Sequence, residues 1–459
     1  MTKNIDDVIQ KEKEKIYEIY DIKDPEKLLE YINNNLPISE KAKKERGEVF
    51  TPLKTINEML DKLPIEVWYN PELKWLDPAS GLGNFPVAIY KKLFDTLKYT
   101  NFSKYPKYKS ILDTDEKRRK HILENMLYMV EFDKGNVFFM KKILCGNKYN
   151  LNIFEGSFIP HKSYDSSIKV FNGKFNSGKD VKLFDIIIGN PPYQIKREQY
   201  KKSQAIWDKF VLISFNFLKR NGYLSLIHPS GWRSPVGDYR KIFNLFYQKN
   251  LIYLSMNDFK KGRNVFNQGT AYDYYLLQNL NSNKNITKIN DIDNKIYDIN
   301  LNKWSFIPSG KFNLFKKIIA IKKDKKTNTL YDRTLYGTDK KNMSLNKTKE
   351  FKFPCCYSIT QTHGLKLFYS NLNKGHFGIP KVIFSNGSGT YPIIDENGKY
   401  GLTQYCYGII DIKNNLHLIK KALDNYKFIN LMKYVKYTDN KYNQSVISLL
   451  KKDFYKYFI

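Results

Sequence analysis

The run Phe184-Asp185-Ile186-Ile187-Ile188-Gly189-Asn190-Pro191-Pro192-Tyr193 holds the strongest chemical pattern in this chain. Its apolar half predicts a buried strand. The two prolines after it fix φ and remove two backbone donors, and the first holds Asn190 extended. The Asn190 amide and the Pro191 carbonyl are therefore expected to stand as rigid acceptors at the carboxyl end of a strand, where doubly wound sheets bind ligands. Two such acceptors suit a conjugated amine such as the 6-amino group of adenine, whose lone pair is delocalised into its ring. Aimed at the two N–H bonds, they favour a pyramidal nitrogen and free the lone pair for attack on a methyl sulfonium. No strong base is required, because the methylated ammonium is acidic enough to shed its proton. Tyr193 adds a flat face on which an extruded base can stack, worth roughly 1–3 kcal/mol against the few kcal/mol of unpairing. Taken alone, the same tetrapeptide also reads as a strand-ending turn.

The second pattern is Asp77-Pro78-Ala79-Ser80-Gly81-Leu82-Gly83-Asn84-Phe85. Gly81 and Gly83 permit close backbone approach to a ligand, and the helix start that follows favours a carboxylate. Asp77, an anion at a strand end, suits an ammonium group. The spacing is not that of a dinucleotide fingerprint. Glu131 closes the next strand, where an acidic residue can accept from ribose hydroxyls; a surface carboxylate is the other reading.

These groups need a scaffold of strand ends. A helix is predicted from Thr51-Pro52, with Thr51 as its cap and Pro52 in its first position, ended by Pro64. Strands are expected at Lys74–Asp77, Asn125–Asp133, near Asn152–Phe154, Phe184–Ile188, Tyr223–His228, Leu251–Met256 and Ala271–Leu277. Helices alternate with them, including Lys134–Leu144 and a long one from about Gln204 to Lys219, closed by Asn221-Gly222. Residues 98–122 read as a polar insertion and 160–182 as a Gly/Ser/Lys-rich loop. The alternation predicts an α/β fold, a doubly wound, mostly parallel, Rossmann-like sheet. Residues 281–300 lose periodicity, and short β-like runs follow. We therefore expect a helical arm over 1–46, a catalytic domain over 47–285 and a mixed α+β domain over 300–459.

Charge points to a polyanionic partner. Lys+Arg 77 against Asp+Glu 46 gives +31, and residues 301–459, with 28 basic and 10 acidic side chains, carry +18 of it. Lys is also abundant in the way A/T-rich codons favour, so a solvated basic surface is the competing account. The four cysteines (Cys145, Cys355, Cys356, Cys406) have neither zinc-ligand nor disulfide-framework spacing, and no metal is expected. No apolar run approaches a membrane span, and the first residues are too polar for a secretory signal. A cytoplasmic protein without membrane contact, a monomer or weak dimer, is the expectation.

In order, GEVFTP (47–52), DPASGLGNF (77–85), MVEFD (129–133), EGSFI (155–159) and NPPY (190–193) resemble the gamma class of amino-methyltransferases, the N6-adenine DNA methylases of restriction–modification systems. The resemblance spans about residues 45–280. It implies S-adenosylmethionine as cofactor, bound at the turn from Asp77 through Pro78, Ala79, Gly81 and Gly83. Thr51 and Asp77 would hold its methionine end, Glu131 its ribose, and Phe158 would flank its adenine. The family usually has Asp before that Phe, where this chain has Ser157. Phe266 falls where family members place an aromatic against the flipped base, although core packing explains it equally. The C-terminal region would be a target-recognition domain for double-stranded DNA, with Lys381 on phosphate and the 387–389 turn close to the duplex. A matching restriction endonuclease would be a separate chain. An RNA base amine, a protein glutamine amide, or a methylase decayed to a binder are the alternatives.

Overall fold

The computed structural model describes residues 50–144, 148–159, 184–196, 203–235, 237–267, 269–281, 286–385, 391–437 and 444–459. The expected N-terminal arm, the 160–182 loop and the 387–389 turn lie outside them. The chain divides into two compact units. One comprises the residues up to Pro229 together with 244–290 and 296–299; the other comprises 230–243, 291–295 and 300–459.

The first unit is built on β1 (Trp75–Asp77), β2 (Leu127–Glu131), β3 (Asn152–Glu155), β4 (Phe184–Gly189), β7 (Leu218–Pro229), β8 (Lys249–Asn257), β9 (Tyr272–Asn281), β10 (Ile286–Asn290) and β11 (Ile296–Asn300). A short antiparallel ribbon of β5 (Gln194–Lys196) and β6 (Ser203–Ala205) stands apart from the sheet. The nine-stranded order is β11-β10-β8-β9-β7-β4-β1-β2-β3. β1 pairs parallel with both β2 and β4, β2 with β3, β4 with β7, and β10 with β8. β9 runs antiparallel to its neighbours β7 and β8. This is the mostly parallel, doubly wound Rossmann-like sheet expected from the alternation. From β1 the order runs outward to β2 and β3 on one side and to β4 and β7 on the other, so the β1/β4 boundary is the switch point where such sheets bind ligands.

The helices of this unit are α1 (Leu53–Leu60), α2 (Asn84–Leu97), α3 (Asp115–His121), α4 (Lys134–Ile143), α5 (Trp207–Phe217), α6 (Arg240–Gln248, which begins among residues of the second unit) and α7 (Phe259–Phe266). Residues 98–122 are more than a polar insertion: Tyr108, Leu112 and Ile122 join the main core with Trp75, Leu93 and Met129. The helix expected over 204–219 is shorter at both ends. β6 takes its start, and Leu218 turns extended to pair with Phe184. Asn221, expected to help close that helix, lies at positive φ within β7 instead.

The second unit is mixed α+β, as expected. One sheet orders β12 (Asn328–Leu330), β19 (Cys406–Ile410), β16 (Lys381–Ser385) and β17 (Ile393–Asp395). The other orders β13 (Met343–Ser344), β15 (Gly364–Ser370), β14 (Phe353–Thr360) and β18 (Gly401–Leu402). The helices α8 (Phe312–Ile318), α9 (Arg333–Tyr336), α10 (Lys413–Asp424) and α11 (Tyr426–Met432) complete it. Its larger core joins Val382, Phe384 and Ile409 to Leu416, Ile419 and Phe428.

Candidate active site

Parallel pairing sets the carboxyl ends of neighbouring strands side by side, and three of the expected residues stand there. Asp77 ends β1, Glu131 ends β2, and Asn190 follows Gly189 at the end of β4. Asp77 is buried. Its Oδ1 accepts from Ala79 N at 3.0 Å, the first amide available after Pro78, which has none. Its Oδ2 is buried with no hydrogen-bond partner. Burial first, and then the nearby Glu131 charge, push the Asp77 carboxyl up to about 8. Without a cation beside it, the expected anion holds its proton at neutral pH.

The turn after β1 requires its glycines: Gly81 and Gly83 sit at φ +54° and +98°, in the left-handed region. Glu131, likewise buried, fastens this turn to β2. Its Oε2 accepts from Gly81 N at 2.8 Å and its Oε1 from Asp133 N at 2.8 Å. Asp133 in turn caps α4 by accepting from Asn136 N. Glu131 is therefore part of the turn's own architecture, with its carboxylate drawn inward.

Sequence reasoning missed Gly189. A Cβ there would lie 2.5 Å from Asp77 Oδ1 and 3.2 Å from Pro78 Cδ, so any larger residue at this position would displace the Asp77 carboxyl. A glycine ending an otherwise apolar strand was the available signal.

Asn190 is half-buried, and its two amide ends are in opposite states. Nδ2 donates to Thr51 Oγ1 at 3.0 Å, while Oδ1 is buried with no partner. Thr51 does not cap α1: Pro52 occupies the cap position and no side chain caps the helix. The Thr51 carbonyl accepts from Asn84 Nδ2 at 3.0 Å. Pro191 is buried and Pro192 half-buried. Tyr193 packs its half-buried ring against the main core, and its carbonyl accepts from Ile206 N at 3.0 Å. The Tyr193 hydroxyl is buried without a partner, and burial, then Tyr272 and Asp273, hold its proton on well above the usual range.

The aromatic candidates are more deeply placed. Phe158 is buried and stacks on Phe210 at 5.6 Å. Ser157, in the position of the family's usual Asp, turns its hydroxyl onto the Ile159 carbonyl at 2.7 Å. Phe266 is a core residue, edge-on to Tyr272 at 4.8 Å, so packing accounts for it.

Lys381 is a correction. It is fully buried, ion-paired with Asp395 at 2.8 Å, and donates to the carbonyls of His376 and Ile379. All three N–H groups are used inside the unit, so it cannot reach a phosphate. Among the described residues, no three His, Cys, Asp or Glu side chains gather as a metal site would require. No described helix is long and apolar enough to cross a membrane.

Residues 98–266 match the model of the Eco57I restriction-modification methylase family. An uncharacterized adenine-specific methylase of Mycoplasma pneumoniae is 26% identical over an alignment covering 40% of this chain; the match spans about half (55%) of that relative's length. The Type IIL restriction-modification enzyme MmeI, solved in complex with DNA, aligns at 11% identity and a TM-score of 0.53, over 90% of this chain and 69% of MmeI. A modification subunit of a type I restriction enzyme from Vibrio vulnificus YJ016 aligns at 18% identity and a TM-score of 0.39, over 58% of this chain and 51% of that one. The chain is thus similar to the restriction–modification adenine methylases, with the match to the Eco57I methylase model lying over residues 98–266.

Proposed function

We propose that this chain transfers a methyl group from S-adenosylmethionine to the 6-amino group of an adenine extruded from double-stranded DNA. One observation carries the reading: two buried acceptors without partners, Asp77 Oδ2 and Asn190 Oδ1, stand at the ends of the adjacent strands β1 and β4. A buried acceptor left open in a folded protein calls for an explanation, and at a ligand-binding edge a ligand supplies one. An ammonium fits Asp77, since its charge would offset the burial that keeps the carboxyl protonated. The amino-acid end of the cofactor offers that ammonium, and the Gly81–Gly83 turn leaves backbone rather than side chains facing it. When bound, S-adenosylmethionine supplies an electrophilic methyl on a sulfonium.

The rest is the work of this chain's residues. Asn190 Oδ1 and the Pro191 carbonyl accept the two N–H bonds of the amine, an arrangement that strengthens as the nitrogen becomes tetrahedral and acidic. Pro191 and Pro192 hold these acceptors without backbone donors nearby that would compete for them. Tyr193 presents ring surface to the base while its buried hydroxyl end anchors in the core. Glu131 keeps the glycine turn in register with β2, and Phe158 closes the floor beside α5.

DNA is the substrate class favoured by the +31 charge, more than half of it in residues 301–459, and by a likeness to MmeI that extends through both units. The test is to incubate the protein with radiolabelled cofactor and unmethylated plasmid, digest to nucleosides, and identify the labelled one. N6-methyldeoxyadenosine is expected. Label appearing only in RNA, or in a protein glutamine, would replace this reading with another substrate.

A further inference from the structure

Nothing in a strand-ending turn requires Asn190 to touch Thr51, which lies 139 positions earlier. The contact engages the donor end of the amide and leaves the acceptor end open. A side-chain amide carries an acceptor at one end and two donors at the other. With Nδ2 held on Thr51 Oγ1 at 3.0 Å, Oδ1 is the end that remains buried and unpartnered. Turned over, the amide would present its NH2 to an incoming amine, donor against donor. Thr51 is itself fixed: it is 3% exposed, and its carbonyl is held by Asn84 Nδ2, the first side chain of α2 after the Gly81–Gly83 turn.

We propose that Thr51 is a positioning residue for methyl transfer, its hydroxyl holding Asn190 by Nδ2 so that Oδ1 faces the target amine. This rests on the reading of Asn190 as an acceptor for that amine. It assigns Thr51 a task apart from the methionine end of the cofactor, which the family resemblance implied. The arrangement also ties the cofactor turn to the substrate amide, from Asn84 through the Thr51 backbone to the Thr51 hydroxyl.

Thr51→Val keeps the shape and burial of the side chain and removes the hydroxyl. In the full chain, the single-turnover rate at saturating cofactor and DNA is expected to fall roughly 10–100-fold, the scale on which a misplaced group costs rate. Cofactor affinity measured by calorimetry should stay within about 3-fold, and Thr51→Ser should recover most of the rate. If the valine variant does not fold, Thr51→Ala carries the same comparison. A valine variant that binds cofactor many-fold more weakly yet turns over at the wild-type rate when saturated would overturn the proposal, and leave adenine methylation standing. Failure of the wild-type chain to methylate adenine would instead overturn the reading of Asn190, and this proposal with it.

Discussion

Asp77 in the first unit and Lys381 in the second are both buried ionisable side chains at strand ends, and the structure treats them in opposite ways. Lys381 has a carboxylate and two carbonyls for its three N–H groups, and Asp395 also accepts from Lys399 N and Tyr400 N. Asp77 has one amide for two oxygens and a like charge nearby. A buried charge whose hydrogen-bonding capacity is filled is part of the fabric. One held short of partners at a ligand-binding edge is a candidate site. Residue type alone does not separate them; the count of satisfied atoms does.

Breaking the satisfied pair should give the largest effect. Lys381→Ala strands Asp395 in the second unit and should destabilise the protein by about 3–5 kcal/mol, while the salt dependence of DNA affinity changes little per folded molecule. Chemical denaturation and salt titration of binding check the two halves; a flattened salt slope with intact stability would restore Lys381 to the DNA interface. On the other side of the comparison, Asn190→Ala should lower turnover by about 10²–10³-fold, the range for removing one preorganised transition-state hydrogen bond. Cofactor binding should survive, and retention of a tenth of wild-type turnover would remove Asn190 from the chemistry.

Asp77→Asn sharpens the contrast through pH. The folded carboxyl is raised from 3.8 to about 8, so its contribution to stability is complete below about pH 4 and is lost progressively as pH climbs toward 8. The Asn variant should lack that decline and be the more stable protein at neutral pH without cofactor, yet bind cofactor about 10-fold more weakly or worse. Melting temperatures across pH 4–9 and calorimetry measure both; identical pH slopes in the two proteins would mean Asp77 is not the strained group. Tyr193 gives the smallest effect. Tyr193→Ala should cost roughly 1–3 kcal/mol of base stacking, whereas Tyr193→Phe removes a hydroxyl with no partner and should stay close to wild type. A phenylalanine variant as impaired as the alanine one would make the hydroxyl, not the ring, the working part.

Much of this rim was legible because its patterns are local. The prolines after Asn190, the glycines after Asp77 and the apolar runs before each announce strand ends within a few residues. What was misread depends on distant partners. Thr51 looks like a helix cap from its neighbours, but its hydroxyl answers to Asn190. Lys381 reads as a surface cation by type, yet it faces Asp395 directly across the β16–β17 pair. The apolar runs beside both residues, VIF after Lys381 and II before Asp395, were the sign that a sheet buries them. The shortened α5 yielded to pairing of Leu218 with Phe184, a choice made by the sheet over helical periodicity.

The division of the chain at Pro229 has a consequence for anyone who would exchange the second unit between relatives. Residues 230–243 depart from the first unit, group with the second, and return before β8. Within the second unit Ser230 donates to the Tyr437 carbonyl, and Arg233 reaches Ser309 through its guanidinium and Ile307 through its backbone. A graft spliced at a single point near residue 300 would carry Tyr437, Ser309 and Ile307 from one parent and their partners from the other. The transplantable cassette is discontinuous: 230–243, 291–295 and 300–459 have to travel together, and a chimaera that moves all three should outperform one that moves only the last.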